Sequence, residues 1–148
     1  MDNILVRQME FADIEQVVEI EEEAFSLPWS AKSFEDSLEL TYSSFYVALI
    51  DNKIAGYIGT YLICDDIDIT NIAVKKIFRR QGIANKLIEA VLEYASEKYA
   101  KYINLEVRIS NIPARSLYKK YGFEEIGVRK NFYSKPVEDG IIMQREIC

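Results

Sequence analysis

The chain has 148 residues, of which 49% are hydrophobic and 28% charged, with a net charge of −6 and a sequence pI of about 4.8. That is one globular domain, large enough to bury roughly 68–70% of its unfolded surface, and it is too acidic for general nucleic-acid binding, which needs a basic face. Histidine is absent, and the two cysteines, Cys64 and Cys148, form no CxxC pair; this excludes His triads, His general bases and the common zinc sites, and argues against a disulfide framework.

The start, Met1 to Arg7, lacks the apolar core of a signal peptide. No apolar run approaches the roughly 18–20 residues of a membrane span. The expectation is a cytoplasmic monomer with no membrane partner, no direct nucleic-acid partner and no bound metal.

Ile4 to Met9 alternates weakly and reads as a first strand. Phe11 to Ala24 places Ile14, Val17, Val18 and Ile20 at helical spacing, with Asp13 as a cap or first-turn acid. Glu19, Glu21, Glu22 and Glu23 read as a solvated face; the sharper alternative is an acidic rim that attracts a cationic substrate. Pro28 ends this helix, and Ser30 caps a second one over Ala31 to Leu40. Trp29 between them is a loop anchor or the wall of a cleft.

From Ser44 the period changes to that of strands. Phe45–Ile50 and Lys53–Ile63 flank Asp51-Asn52 as a hairpin with a two-residue turn. Gly56 and Gly59 inside the second strand signal a bulge or a close backbone approach. Asp66 to Val74 is a third strand. A helix from about Arg80 to Tyr99 carries Ile83, Leu87, Val91 and Ala95 four apart. Tyr102 to Val107 is a short strand. Asn111 caps a helix with Pro113 in its first turn and Gly122 at its end. Phe123–Phe132 and Gly140–Ile147 read as a final hairpin joined by a longer loop, Ser134 to Asp139. The order is β-α-α-β-β-β-α-β-α-β-β. It predicts an α+β domain with a mixed, mostly antiparallel sheet of six to seven strands flanked by about four helices, and one parallel pair.

The chemistry concentrates where the third strand meets the long helix. Asn71-Ile72-Ala73-Val74 runs into a turn holding Lys75, Lys76, Arg79 and Arg80, then Gln81-Gly82-Ile83-Ala84. This is neither a P-loop nor a Rossmann fingerprint. Alone, a glycine in a basic turn is only a turn. In an acidic protein, four cations on one turn before a helix N-terminus suit a phosphate-bearing ligand, and a pyrophosphate is expected.

Arg79-x-x-Gly82-x-Ala84 resembles the signature with which GNAT acetyltransferases hold the pyrophosphate of acetyl-CoA. Asn71-Ile72-Ala73-Val74 fits the strand before it. Ala24-Phe25-Ser26-x-Pro28-Trp29-Ser30, Leu105 to Asn111 with Ala114, Leu117-Tyr118 and Gly122-Phe123, and Glu138 to Met143 are similar to the RimI-type subgroup of ribosomal-protein-alanine N-acetyltransferases. The likeness spans about residues 4–145, one GNAT domain over 1–148, and implies the acyl-CoA N-acyltransferase fold.

The resemblance assigns roles. Glu106 would be the general base, through water, and Tyr118 would protonate the coenzyme A sulfur. Glu106 could otherwise be a salt-bridge partner of Arg108 or of a lysine. Ile72, Ala73 and Val74 would pair with the pantetheine arm, the Val74 N–H polarising the acetyl carbonyl like an oxyanion hole. Arg79, Arg80, Gln81, Gly82, Ile83 and Ala84 would hold the pyrophosphate, with Asn111 and Tyr118 also contacting the coenzyme. Trp29, Tyr57, Phe132, Tyr133 and Glu138 are candidates for the acceptor groove; family members often carry two tyrosines where this chain has Phe132-Tyr133. The implied acceptor is the N-terminal alanine of a small-subunit ribosomal protein. Attack would be direct, in a ternary complex, since neither cysteine has a partnered base. The rival readings are a GNAT acting on lysines or small amines, and an acetyl-CoA-binding module without turnover.

Overall fold

Among the described residues, seven strands and four helices follow the expected order: β1 (Ile4–Gln8), α1 (Ile14–Ala24), α2 (Ala31–Glu39), β2 (Ser43–Ile50), β3 (Lys53–Ile63), β4 (Asp66–Val74), α3 (Ile83–Glu97), β5 (Tyr102–Arg108), α4 (Ile112–Lys120), β6 (Glu124–Ser134) and β7 (Val137–Glu146). The structure, a computed structural model, describes residues 3–147; the sequence readings that involve Met1, Asp2 and Cys148 lie outside the described residues. All seven strands join one sheet in the order β1-β2-β3-β4-β5-β7-β6. Only β4 and β5 run parallel. They are joined through α3, as a parallel crossover requires.

The sheet separates two cores. On one face Ile83, Leu87, Ile88, Val91 and Ala95 of α3 and Tyr118 of α4 pack on Ile58, Ile67, Ile103 and Met143. On the other, Ile14, Val17 and Ile20 of α1 and Phe34 of α2 pack on Phe45, Val47 and Tyr57. Adjacent strand residues such as Tyr57 and Ile58 therefore serve opposite cores, as the two-residue period demands.

Local chemistry explains the element ends. The Ser30 hydroxyl accepts from the Ser33 N–H at 3.1 Å, and Asn111 Oδ1 accepts from the Ala114 N–H at 3.3 Å, so both expected caps form. Asp51 and Asn52 take φ of 50° and 65°, the left-handed pair of a tight hairpin turn. The sheet register shifts beside Gly56 and at Gly59. A Cβ on Gly56 would lie 2.8 Å from the Ala73 carbonyl, so the expected close approach is there. Asp13 does more than cap: its carboxylate accepts from both terminal nitrogens of Arg7, at 2.7 and 3.0 Å, and from the Glu10 N–H at 2.8 Å.

Beside the site, boundaries differ from the sequence reading in two places. The long helix begins at Ile83, not Arg80, because Arg80 (φ 65°) and Gly82 (φ 82°) are left-handed and cannot extend a right-handed helix. The last hairpin turns at Lys135-Pro136, with Ser134 paired to Val137 and Tyr133 to Glu138, so the longer loop expected over Ser134–Asp139 is replaced by paired strand. The irregularity sits inside β6 instead, where the register shifts between Arg129 and Tyr133 and the Asn131 N–H donates to Asp139 Oδ1 at 2.8 Å.

Candidate active site

The parallel pairing of β4 and β5 lasts for three positions, Asp66↔Tyr102 to Asp68↔Asn104. Beyond it the strands part. β4 stays with β3 as far as Val74↔Gly56, and β5 stays with β7 as far as Arg108↔Gly140. A cleft opens between them. The Lys75 N–H donates to the Ala55 carbonyl at 2.8 Å. Backbone groups alternate sides along a strand, so Ile72 and Val74 aim their N–H and C=O groups into the cleft. Ala73 faces the α1–α2 core. The edge that sequence reasoning assigned to a ligand is thus a strand edge left without a partner.

The basic turn stands at the mouth of this cleft. A 3-10 turn over Lys76–Phe78 leads to the left-handed Arg80 and Gly82. The first N–H groups of α3 then lack helical acceptors and carry the positive end of its dipole. Arg79, Arg80 and Gln81 are exposed, while the Ile83 side chain is buried and leaves only its backbone to a ligand. Among the described residues, Lys75, Lys76, Arg79 and Arg80 form no ion pair. Strand edge, N–H groups and unpaired cations fit an extended, phosphate-bearing molecule.

Glu106 lies across the cleft on β5, with Oε1 3.4 Å from Arg129 Nε, while Oε2 is buried and accepts no hydrogen bond. A carboxylate oxygen buried without a donor is costly, and no side chain or backbone N–H among the described residues supplies that donor. Its protein partner is Arg129, not Arg108. Arg108 instead donates to Glu138 Oε1 at 3.2 Å and to the Pro136 and Lys135 carbonyls, and stacks on the Tyr133 ring at 4.4 Å. Glu138 also accepts from the Ser110 N–H at 2.6 Å; Ser110 and then Arg108 hold its carboxyl below the usual range. Glu138 therefore fastens the last hairpin to the end of β5.

Tyr118 is buried beside Phe123, with ring centroids 5.8 Å apart, and burial pushes its phenol well above the ordinary value. Tyr133 is half-buried. Burial and then the Glu106 carboxylate raise its phenol to about 12, against the opposing Arg108. Phe132, more exposed, meets the Tyr133 ring edge-on at 5.0 Å. The exposed Asn111 caps α4 at the same end of the sheet.

Trp29 stands partly buried against Phe34 and Phe45, at 5.2 and 6.2 Å. The Ser26 hydroxyl donates to the Lys135 carbonyl at 2.6 Å, so the α1–α2 loop touches the β6–β7 turn over the cleft. Tyr57 departs from its expected place. It is 0% exposed, and its hydroxyl donates to Glu21 rather than facing an open groove. Glu21, placed in the sequence among solvated glutamates, is itself 2% exposed. It lies seven residues after Ile14 and four after Val17, on the apolar stripe of α1, and that spacing is the signal that marks it.

Residues 14–123 match the model of the Acetyltransferase (GNAT) family, and the chain belongs to that family, whose acetyl donor is acetyl-CoA. Its likeness narrows further. It is 43% identical over 139 residues to a candidate [ribosomal protein bS18]-alanine N-acetyltransferase of Bacillus subtilis (strain 168), covering 93% of this chain and 92% of that one. It is 32% identical over 140 residues to the [ribosomal protein bS18]-alanine N-acetyltransferase of Escherichia coli (strain K12), covering 93% and 94%. The crystal structure of the ribosomal-protein-S18-alanine N-acetyltransferase from Escherichia coli superposes with a TM-score of 0.91 at 30% identity, over 98% of this chain and 94% of that one. Among the described residues no helix is long and apolar enough to cross a membrane.

Proposed function

We propose that this protein acetylates the N-terminal α-amine of a protein, the N-terminal alanine of a small-subunit ribosomal protein, by direct attack in a ternary complex. The relatives named above, alike over nearly the whole chain, support this acceptor. The observation that carries the chemistry is the buried, unpartnered Oε2 of Glu106 on the wall of the β4–β5 cleft.

Bound acetyl-CoA supplies the acetyl group as a thioester. Ile72 and Val74 would hold the pantetheine arm with their free backbone groups, while Ala73, expected to share this role, turns to β3 and keeps the edge in place. Arg79, Arg80, Gln81 and the backbone of Gly82, Ile83 and Ala84 hold the pyrophosphate. The Val74 N–H, free on the strand edge and fixed by the sheet, would polarise the acetyl carbonyl. Glu106 takes the amine proton through a water on its free oxygen. Tyr118 would give its proton to the departing sulfur; its phenol, protonated at neutral pH in any case, is raised further by burial. Asn111 contacts the coenzyme while capping α4. Trp29, Phe132 and Tyr133 wall the acceptor groove, Glu138 supports it through Arg108, and Tyr57 supports it from beneath.

The amine's own chemistry favours the N-terminus. An α-amine titrates near 7.7–8.0 and a lysine near 10.4, so at pH 7 roughly a tenth of the former but under a thousandth of the latter is neutral. A carboxylate base suits the first. Steady-state acetylation of an N-terminal alanine peptide, against an N-blocked peptide with an internal lysine, tests this. Preference for the first is expected; equal or reversed rates would refute it.

A further inference from the structure

We propose that Glu21 is a positioning residue that ties the acceptor loop to the coenzyme strand. The proposal rests on the acetyl-transfer reading above. Glu21 closes α1 and takes hydrogen bonds from three other elements. Oε1 accepts from the Tyr57 hydroxyl of β3 and from Asn71 Nδ2 of β4 at 3.3 Å; Oε2 accepts from the Trp29 backbone N–H at 2.9 Å. Asn71 immediately precedes Ile72–Val74, the unpaired edge of the cleft. Its other amide atom is occupied too, since Thr70 Oγ1 donates to Asn71 Oδ1 at 2.6 Å. Trp29 belongs to the loop that reaches Lys135 over the cleft. One carboxylate thus sets both walls.

Stability alone does not call for a carboxylate here. Val17 and Ile20 beside it are fully buried, and no cation is among its partners. A buried carboxylate without a countercharge is unfavourable, and burial indeed pushes its carboxyl up. An apolar side chain would fill this helix face; it would not give direction to Trp29 and Asn71. The two walls depend on Glu21 unequally. β4 is also held by its register with β3 over eight positions, Asp66↔Ile63 to Val74↔Gly56. Besides the Phe25 and Ser30 bonds that join it to its own helices, the loop is held among the described residues by the exposed Ser26 bond and the Trp29 ring contacts. Loss of Glu21 falls on the acceptor side.

Trp29 is the only tryptophan of the chain, so the loop carries its own fluorophore. The test compares the full-length protein with Glu21→Leu, which fills the site without ties, and Glu21→Gln, which must set an amide N–H against one of the donors. Both variants should fold. Acrylamide quenching of Trp29 should rise about twofold in Glu21→Leu, and the KM for an N-terminal alanine peptide about tenfold, the loss of one charge-assisted hydrogen bond. The Kd for acetyl-CoA, measured directly, should change less than about threefold, and Glu21→Gln should fall between Glu21→Leu and the parent. Unchanged quenching and unchanged peptide KM overturn the proposal. So does increased quenching with an unaltered peptide KM, which would make Glu21 structural only. If the parent protein turns over no N-terminal peptide, the acceptor reading fails by itself, and Glu21 is then judged on quenching: a rise upholds the tie, and none removes it.

Discussion

The two halves of the cleft are built by different means. The proposed coenzyme half rests mainly on one unbroken stretch, Ile72 to Ala84, which offers backbone N–H groups, a helix start and cations that form no ion pair among the described residues, with Asn111 and Tyr118 added at α4. The acceptor half is assembled from segments far apart in the chain: Glu21 to Ser30, Tyr57 beneath them, and Phe132 to Glu138. Its closing contact, Ser26 to Lys135, joins residues 109 positions apart. A backbone-made site can be specified by a short motif, because turn geometry and a helix dipole are local properties. A site made of side chains meeting across the sheet depends on packing, and small changes in any segment can alter it. This is physically suited to a common donor serving varied acceptors.

Substitutions should separate the halves. The largest effect is expected at Glu106→Gln, which should lower kcat by about 10²–10⁴-fold while acetyl-CoA still binds; isothermal titration with the coenzyme and steady-state rates check both parts. Tyr118→Phe should lower kcat roughly 10–100-fold, again sparing coenzyme binding. An equal loss of both would make Tyr118 a binding residue of the coenzyme half. Since burial raises this phenol, its protonated form persists through the ordinary range near pH 10, and the alkaline limb of the parent's kcat profile should not break there.

A third substitution touches neither half directly. Asp13→Asn removes the carboxylate that holds Arg7 and the start of α1, and should cost about 1–2 kcal/mol in urea unfolding at pH 7. Arg7 keeps the folded-state pKa of Asp13 below its ordinary 3.8. The contribution is therefore complete above that value and is lost as pH falls through the lower, folded one, so parent and variant should converge only in strong acid. KM values should stay put. Smallest of all, Arg79→Gln or Arg80→Gln should raise the KM for acetyl-CoA about two- to fivefold, more at low salt than at high, because exposed charges are screened. A salt-independent KM would remove the cations from pyrophosphate binding.

The halves also differ in how far the sequence exposes them. Element order, the Ser30 and Asn111 caps, the Asp51-Asn52 turn and the Asn71–Ala84 stretch were all readable, since each rests on spacing or on neighbouring residues. The sequence pattern starts helix α3 three residues early because nothing in Arg80 announces a positive φ. The β6–β7 turn looks too long in the sequence because proline and charge resemble a loop, whereas the irregularity is a bulge inside β6. Tyr57 and Glu21 are hidden in the sequence for a deeper reason. Each looks ordinary alone, a strand tyrosine and one glutamate in a run of four, and each takes its meaning from a partner 36 residues away.

Transfer to an N-terminal α-amine is tested most directly by tandem mass spectrometry of a peptide that begins with alanine and carries internal lysines, after incubation with this protein and acetyl-CoA. Acetyl confined to the α-nitrogen, and lost with Glu106→Gln, is the predicted result. Acetyl on the lysine side chains, or on no residue, would contradict it.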